Sequence, residues 1–160
     1  MKTVSRRQAM TALSAAGAGT CLCSLNAGCA TFSKKGNAPE ITKEAYVIEN
    51  KRLQVMLDQV PSLSSIGGSA KILDPRLPSP LIIGRTAEST YAVVSLLCPH
   101  RGVEVEYRHS EEQFRCASLG HSKFKTDGTL KKGLSKSGLS HYQAQLNPAD
   151  KNCLWVLLDG

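Results

Sequence analysis

The chain has 160 residues, which is enough for one compact domain with a short extension and too few for two separate cores. It carries 20 basic and 13 acidic side chains, a formal charge of +7, and its few aromatic residues are widely scattered. Since no basic patch is interleaved with aromatic residues, the composition argues against a nucleic-acid-binding protein.

The first 30 residues have the pattern of an export signal. Arg6 and Arg7 precede 26 uncharged residues, from Gln8 to Ser33, that are rich in small side chains and only modestly apolar. The segment resembles a twin-arginine signal, which exports proteins that are already folded and so suits a cofactor inserted in the cytoplasm. A retained transmembrane anchor is the alternative that the length allows. We therefore expect a protein in the periplasm or on the outer face of the inner membrane.

Cys29 bears on how this signal is processed. The sequence "LNAGC" approximates a lipoprotein cleavage box, except that Asn26 stands where an aliphatic residue is usual, whereas "GCA" before Thr31 suits an ordinary signal peptidase. Membrane attachment through a lipid on Cys29 and attachment through a retained segment both stay open. Residues 31–44 are polar and are expected to be a linker to the folded body at 45–160.

The body is expected to be all-β. Short apolar runs with period-two character alternate with stretches rich in Gly, Pro, Asn and Asp, a pattern typical of strands joined by tight turns. No helix of convincing length is expected. The pattern predicts eight strands, over residues 45–50, 52–60, 80–85, 90–97, 102–108, 112–117, 141–147 and 153–159.

Two short segments of the body each carry a cysteine close to a histidine. "CPHRG" contains Cys98 and His100, and "CASLGH" contains Cys116 and His121, with a hairpin-sized stretch between the two segments. Two thiolates and two neutral imidazoles are the ligands of a Rieske 2Fe-2S centre, in which the cysteines hold one iron and the histidines hold the other.

Residues 45–160 resemble the Rieske iron-sulfur domain family through "AVVSLLCPHRG", the hairpin "VEVEYRHSEEQFRC", the segment "SKFKTDGTLKKG" and "GLSHYQAQL" before a closing strand. The resemblance implies an antiparallel β-sandwich with a small cluster-binding subdomain. It also implies one 2Fe-2S cluster, held by Cys98, His100, Cys116 and His121. The implied role is electron transfer with a redox partner protein or within a membrane complex, as in the small Rieske subunits of respiratory oxidoreductases, rather than stand-alone catalysis.

The second segment departs from the family pattern of Cys-x2-His, which usually has Pro after the cysteine and Gly-Ser after the histidine. Here Ala117 replaces the proline, Leu119 stands three residues after Cys116, and His121 lies two residues late. The longer path has ample reach, and extending the closure from three residues to five costs about 0.5 kcal/mol. We expect the surplus to bulge outward around Leu119 and Gly120, because Gly120 can adopt a positive φ.

The same residues allow two alternatives. Cys98 and Cys116 could form a structural disulfide in a domain without a cluster, which would then act as a binding or scaffold module. The four side chains also suit a tetrahedral zinc or mononuclear iron site. His109 and His141 are expected at the surface, although either could replace His121 as a ligand.

The resemblance also bears on the redox potential. High-potential members of the family carry a disulfide between the two loops and a tyrosine hydroxyl that donates to a ligand sulfur. In this chain Val103 occupies the first-loop cysteine position, no cysteine lies in 117–120, and Phe124 stands at the tyrosine position. The implied midpoint therefore lies in the lower part of the family range of about −150 to +300 mV.

Other features of the body carry less specific signals. Cys153, at the start of the last predicted strand, is expected to be a buried free thiol. The sequence contains no Ser/His/Asp set, paired-carboxylate motif or phosphate-binding glycine loop, so no catalytic residue is assigned. Five lysines around and after the second segment form either a solvated surface or a docking face for an acidic redox partner: Lys123, Lys125, Lys131, Lys132 and Lys136.

Overall fold

The structure is a computed structural model that describes residues 35–159. The predicted export signal with Arg6 and Arg7, the Cys29 site and the start of the linker lie outside the described residues and stay predictions. Within residues 35–159, no helix is both long enough and apolar enough to cross a membrane.

Short strands joined by tight connections make up the described chain, with four single-turn 3₁₀ helices at Lys43–Ala45, Leu57–Gln59, Pro61–Leu63 and His109–Glu111. The strands, in chain order, are β1 (Tyr46–Glu49), β2 (Arg52–Met56), β3 (Ser69–Ile72), β4 (Leu81–Ala87), β5 (Thr90–Ser95), β6 (Val105–Arg108), β7 (Gln113–Cys116), β8 (Lys123–Lys125), β9 (Leu130–Lys132), β10 (His141–Tyr142), β11 (Ala144–Asn147) and β12 (Asp150–Leu157).

The strands form three four-stranded antiparallel sheets, so the all-β prediction is confirmed. The outer sheet has the order β1-β2-β12-β11, the central sheet the order β10-β5-β4-β3, and the small sheet the order β6-β7-β8-β9. Each sheet is built largely of hairpins, whose local pairings need only short connections.

The central sheet is buried on both faces. Ile83 and Val93 pack into the core shared with the outer sheet, whereas Ile82 and Val94 pack into the core shared with the small sheet. Successive side chains of a strand point to opposite faces, and both faces are covered here. This is why β4 and β5 have continuous apolar runs, and the arrangement matches the predicted sandwich with an additional small subdomain.

A glycine lets the small sheet approach the central sheet closely. A Cβ atom at Gly84 on β4 would lie 2.7 Å from Cγ of Tyr107 on β6, closer than carbon atoms can pack. The Tyr107 ring in turn packs against Phe114, with ring centroids 5.3 Å apart. Gly84 therefore makes room for the ring that joins the two sheets.

The structure has three strands that were not predicted and divides one predicted strand in two. β3, β8 and β9 were not predicted, because lysines at 71, 123, 125, 131 and 132 interrupt their apolar pattern. The predicted strand 141–147 is divided into β10 and β11, which belong to different sheets. Each of the eight predicted segments nevertheless contains strand.

Candidate functional site

The first loop, residues 98–103, is a tight turn between β5 and β6. The N–H of Cys98 donates to the carbonyl of Val103 at 2.8 Å, and the N–H of Gly102 donates back to the carbonyl of Cys98 at 2.8 Å. Gly102 has φ +63, which glycine adopts without steric cost. Cys98 is consequently held at the closed, buried end of the turn, and His100 lies half-buried near its tip.

The second loop, residues 116–122, joins β7 to β8. The N–H of Cys116 donates to the carbonyl of Ser122 at 2.8 Å, and the N–H of His121 donates to the carbonyl of Ser118 at 3.0 Å. The turn at 118–121 projects outward, and Leu119 within it is 84% exposed. The surplus residue of this segment therefore lies at the surface.

Gly120 does not adopt the positive φ that glycine allows. In the second loop the positive φ belongs to His121, at +38, in a region that non-glycine residues rarely occupy. Gly120 instead lies against Leu134, whose Cδ1 would be 2.7 Å from a Cβ at this position. Because Leu134 is 62% exposed and the close atom is the end of its side chain, it could move aside for a larger residue.

Cys98 and Cys116 come together in the core between the central and small sheets. Both side chains have no exposed surface, both thiols are free, and the two lie side by side. Burial raises the pKa of the Cys98 thiol, and the adjacent Cys116 thiol raises it further. The backbone N–H of His100 and the hydroxyl of Ser122 lower this pKa because they favour the thiolate.

Two serines supply polar partners for these sulfurs. The Cys116 thiol lies 3.2 Å from Oγ of Ser118, which can donate back once the sulfur is ionised. Oγ of Ser122 accepts a 3.0 Å bond from the N–H of Ser135, so its own proton is available to Cys98. Neither serine was singled out from the sequence, where the only signal was their proximity to cysteines.

The two predicted histidine ligands differ in their surroundings. Nδ1 of His100 is buried and has no hydrogen-bond partner among the described residues. His121 is exposed, and its Nδ1 lies 3.4 Å from the carbonyl oxygen of its own loop's Cys116. Within residues 35–159 no three His, Cys, Asp or Glu side chains are preassembled to hold a metal ion. Among the described residues, the structure thus brings the two cysteines together but assembles neither histidine ring with them into a three-ligand group.

The other residues considered from the sequence lie outside this pair of loops. His109 and His141 are exposed, as expected, and Nδ1 of His109 lies 3.2 Å from the hydroxyl of Tyr107. Cys153 is a buried free thiol on β12, also as expected, and burial raises its pKa. His109, His141 and Cys153 are therefore not part of the Cys98–Cys116 pair.

A buried ion pair beside the loops was missed. Glu104, directly after the first loop, contacts Lys71 on β3, and both side chains are about nine-tenths buried. The alternation in "VEVEYR" places Glu104 on the same face as Glu106, which suggests a solvated side chain. Only the apolar surroundings of Lys71 in "SAKIL" indicated that a buried partner was needed.

Neither the protein-family models nor the curated proteins compared with the chain match it. Among solved structures, the plasma membrane Rieske protein PetC3 from Synechocystis PCC 6803 matches 55% of this chain and 84% of its own, at 22% identity and a TM-score of 0.45. Pseudomonas putida CBB5 NdmA with caffeine matches 52% of this chain at 14% identity and a TM-score of 0.41. Apo dicamba monooxygenase likewise matches 52% of this chain at 14% identity and a TM-score of 0.41. This chain covers 25% and 28% of those two chains.

Proposed function

We propose that the chain is a Rieske-type electron-transfer protein that holds one 2Fe-2S cluster between its two loops. Cys98 and Cys116 would hold one iron, and His100 and His121 would hold the other. The observation that supports this most is the pair of free, fully buried thiols, together with an unpartnered, buried imidazole nitrogen on the first of the two loops.

The donor set fits such a group on physical grounds. A buried nitrogen that makes no hydrogen bond is unfavourable by about 1–3 kcal/mol, so Nδ1 of His100 is expected to have a partner in the working protein. The two buried thiols would lose their protons on binding a metal, and Ser118, Ser122 and the N–H of His100 are placed to stabilise the sulfurs. A two-iron cluster would bind both thiolates and give the His100 imidazole a partner, with the cysteines on one iron and the imidazole on the other.

His121 is the remaining ligand that we propose. Its ring is exposed, so no packed neighbour has to move if the ring turns toward the loops. Its 3.4 Å contact with the carbonyl of Cys116 is long for a hydrogen bond and is given up at small cost. The strained φ of His121 is then compensated by ligation.

A cluster of this kind accepts and releases one electron. The chain's own residues would set the conditions for that exchange. The apolar core around Cys98 and Cys116 excludes water from the sulfurs, while Ser118 and Ser122 place hydroxyls beside them. His100 lies at the tip of its turn, and we propose that electrons leave the protein on that side.

For the partner, we propose a protein with an acidic surface. Lys125, Lys131, Lys132 and Lys136 are exposed, whereas Lys123 is paired with Glu111 at 3.2 Å. Two large apolar side chains at the same end of the small sheet are also exposed: Leu119 at 84% and Leu134 at 62%. Apolar contacts ringed by like charges suit a transient, electrostatically steered complex. Nucleic acid is not the proposed partner.

The proposed location is the periplasm or the outer face of the inner membrane, reached through the twin-arginine-like segment. The chain would stay at the membrane either through a lipid on Cys29 or through its retained N-terminal segment. There it would serve as an electron-transfer subunit of a respiratory oxidoreductase complex rather than as an enzyme in its own right.

The test is to purify the full chain without oxygen and to measure iron, acid-labile sulfide and the electron paramagnetic resonance spectrum. Two irons and two sulfides per chain with a Rieske-type signal are expected. Iron alone at one per chain, or zinc, would point to the mononuclear alternative with the same ligands.

A second candidate is a cluster-free domain in which Cys98 and Cys116 form a disulfide and the domain acts as a binding or scaffold module. The observation that favours it is the proximity of the two thiols in one core cluster together with Leu119 at the family's histidine position. Metal-free protein in which mass spectrometry finds Cys98 joined to Cys116 would establish this alternative and overturn the cluster.

A further inference from the structure

Glu104 lies between the two loops, and its main chain contacts both. On one side it pairs with Leu97, the residue before Cys98, in an antiparallel bridge. On the other side its carbonyl accepts a 3.0 Å hydrogen bond from the N–H of Ala117, the residue after Cys116. The separation of the two cysteines therefore depends on where Glu104 is held.

The side chain of Glu104 is anchored to two other parts of the chain. Nζ of Lys71, on the central sheet, donates to both carboxylate oxygens, at 2.8 and 3.1 Å. The N–H of Gly36 donates to one of the same oxygens at 2.7 Å. The exposed fractions of the Lys71 and Glu104 side chains are 9% and 12%, so the three bonds lie largely out of water.

The Lys71 end of this pair is fixed. Its main chain is part of β3, pairing with Ile82 of β4, and it also bonds the segment before β1, through Pro39 and Ile41 at 2.8 Å each. A charge-assisted bond made in a buried place is short and directional. Losing one partner leaves the other charge buried and uncompensated, which strongly opposes the arrangement.

We propose that Lys71 and Glu104 are positioning residues that hold the two loops so that Cys98 and Cys116 meet. Through Gly36 the same carboxylate also fixes the chain that leads from the N-terminal segment to the sheets. The inference rests on the proposed function only for its effect on cluster retention, because the thiol pair is held together whether or not metal is present.

The test measures how fast each cysteine is alkylated in the full chain after metal has been removed with EDTA, using mass spectrometry of the peptides. Glu104→Gln is expected to increase the labelling rates of Cys98 and Cys116 at least tenfold and to leave that of Cys153 unchanged. Lys71→Arg, which preserves charge and donors, should stay within twofold of the wild type. Unchanged labelling of Cys98 and Cys116 in Glu104→Gln overturns the proposal.

If Glu104→Gln unfolds, all three cysteines become reactive together. The double variant Lys71→Met with Glu104→Leu is then the test of the positioning role. It removes the buried charges, so the fold recovers and Cys153 is protected again, but the loops lack their anchor. Fast labelling of Cys98 and Cys116 in this variant supports the positioning role, and wild-type protection of both overturns it.

Lys123→Met is the matched control, because Lys123 on β8 also forms an ion pair near the loops, with Glu111, but the two side chains are 36% and 43% exposed. It should leave all three labelling rates unchanged. In metal-loaded protein, the Rieske-type signal should decay about tenfold faster in Glu104→Gln than in the wild type. If the wild type holds no iron, only the proposed function fails, and the labelling rates still test the positioning pair.

Discussion

Nδ1 of His121 lies 3.4 Å from the carbonyl oxygen of Cys116, so the late histidine faces the main chain of its own loop. This contact is at the long limit of a hydrogen bond, whereas most N–H···O bonds are about 2.9–3.0 Å. The His121 ring is also exposed, so no buried neighbour hinders its rotation. This freedom of the ring is why we propose His121 as the fourth ligand despite the sequence departure in the second loop.

The first prediction concerns His121 itself. The variant His121→Ala should lose the Rieske electron paramagnetic resonance signal and most of its iron, because the second iron would be left with a single imidazole. His109→Ala and His141→Ala serve as controls and should retain both signal and iron, since these side chains lie outside the loops. A wild-type signal in His121→Ala would show that another residue is the fourth ligand.

A second prediction tests the outward turn. Deleting Leu119 shortens the path from Cys116 to His121 and removes a side chain that is 84% exposed. No core contact is lost, so iron content and the Rieske signal should be retained or the signal sharpened. Iron content and the Rieske signal are therefore measured in the deletion variant. Loss of iron with the fold intact would mean that the turn at 118–121 is required for ligation.

The loops could be predicted from the sequence because their chemistry is local. Cys98 and His100 are two residues apart, and the Gly102 turn follows from one glycine, so the first loop was recognisable by itself. The Lys71–Glu104 pair was not predictable, because its partners are 33 residues apart and the alternation around Glu104 suggests exposure. Only the packing of the small sheet on the central sheet brings them together.

The same reasoning explains which strands were missed. β4 and β5 were predicted because burial on both faces gives long apolar runs, which stand out in a sequence. β8 has one fully buried residue, Phe124, between two lysines, and β9 has none. β8 is held by pairing with β7, and β9 by pairing with β8, rather than by their own composition, and these pairings are not visible in the local pattern.

A third prediction concerns the contact between the central and small sheets. Gly84→Ala should lower the free energy of unfolding by about 2 kcal/mol, because the new Cβ would lie 2.7 Å from Cγ of Tyr107 and force the ring to move. Urea unfolding measures the loss. In a Tyr107→Ala background the same change should cost less than about 0.5 kcal/mol, since the obstructing ring is gone. Equal losses in both backgrounds would contradict the contact.

A fourth prediction is acid sensitivity at Asp74. Bonds from the side chain and backbone of Arg76, with one from the hydroxyl of Tyr46 at 2.8 Å, hold the pKa of Asp74 well below its usual range. A carboxyl whose folded pKa is lowered contributes stability above its unfolded pKa of about 3.9, and that contribution is lost as the pH falls toward the folded pKa. Asp74→Asn should therefore lose less stability than the wild type between about pH 5 and pH 2.5, measured by urea unfolding.

A fifth prediction concerns export. Replacing both Arg6 and Arg7 with lysine keeps the charge but removes the guanidinium pair that characterises a twin-arginine signal. The body of the protein should then accumulate in the cytoplasm, as shown by fractionation and immunoblotting. Lys2→Arg is the control and should leave export unchanged. Undiminished appearance of the double variant outside the cytoplasm would exclude this route.

The last prediction is a low redox potential. Phe124 is fully buried and cannot donate to a ligand sulfur, so Ser118 and Ser122 are the hydroxyl donors nearest the thiols. Voltammetry should give a midpoint near or below zero, in the lower part of the range of about −150 to +300 mV. Ser118→Ala should lower it by about 40 mV, because a donor that favours the more negative, reduced form by about 1 kcal/mol is lost. Ser64→Ala should not change it, and a midpoint near the upper limit would contradict the prediction.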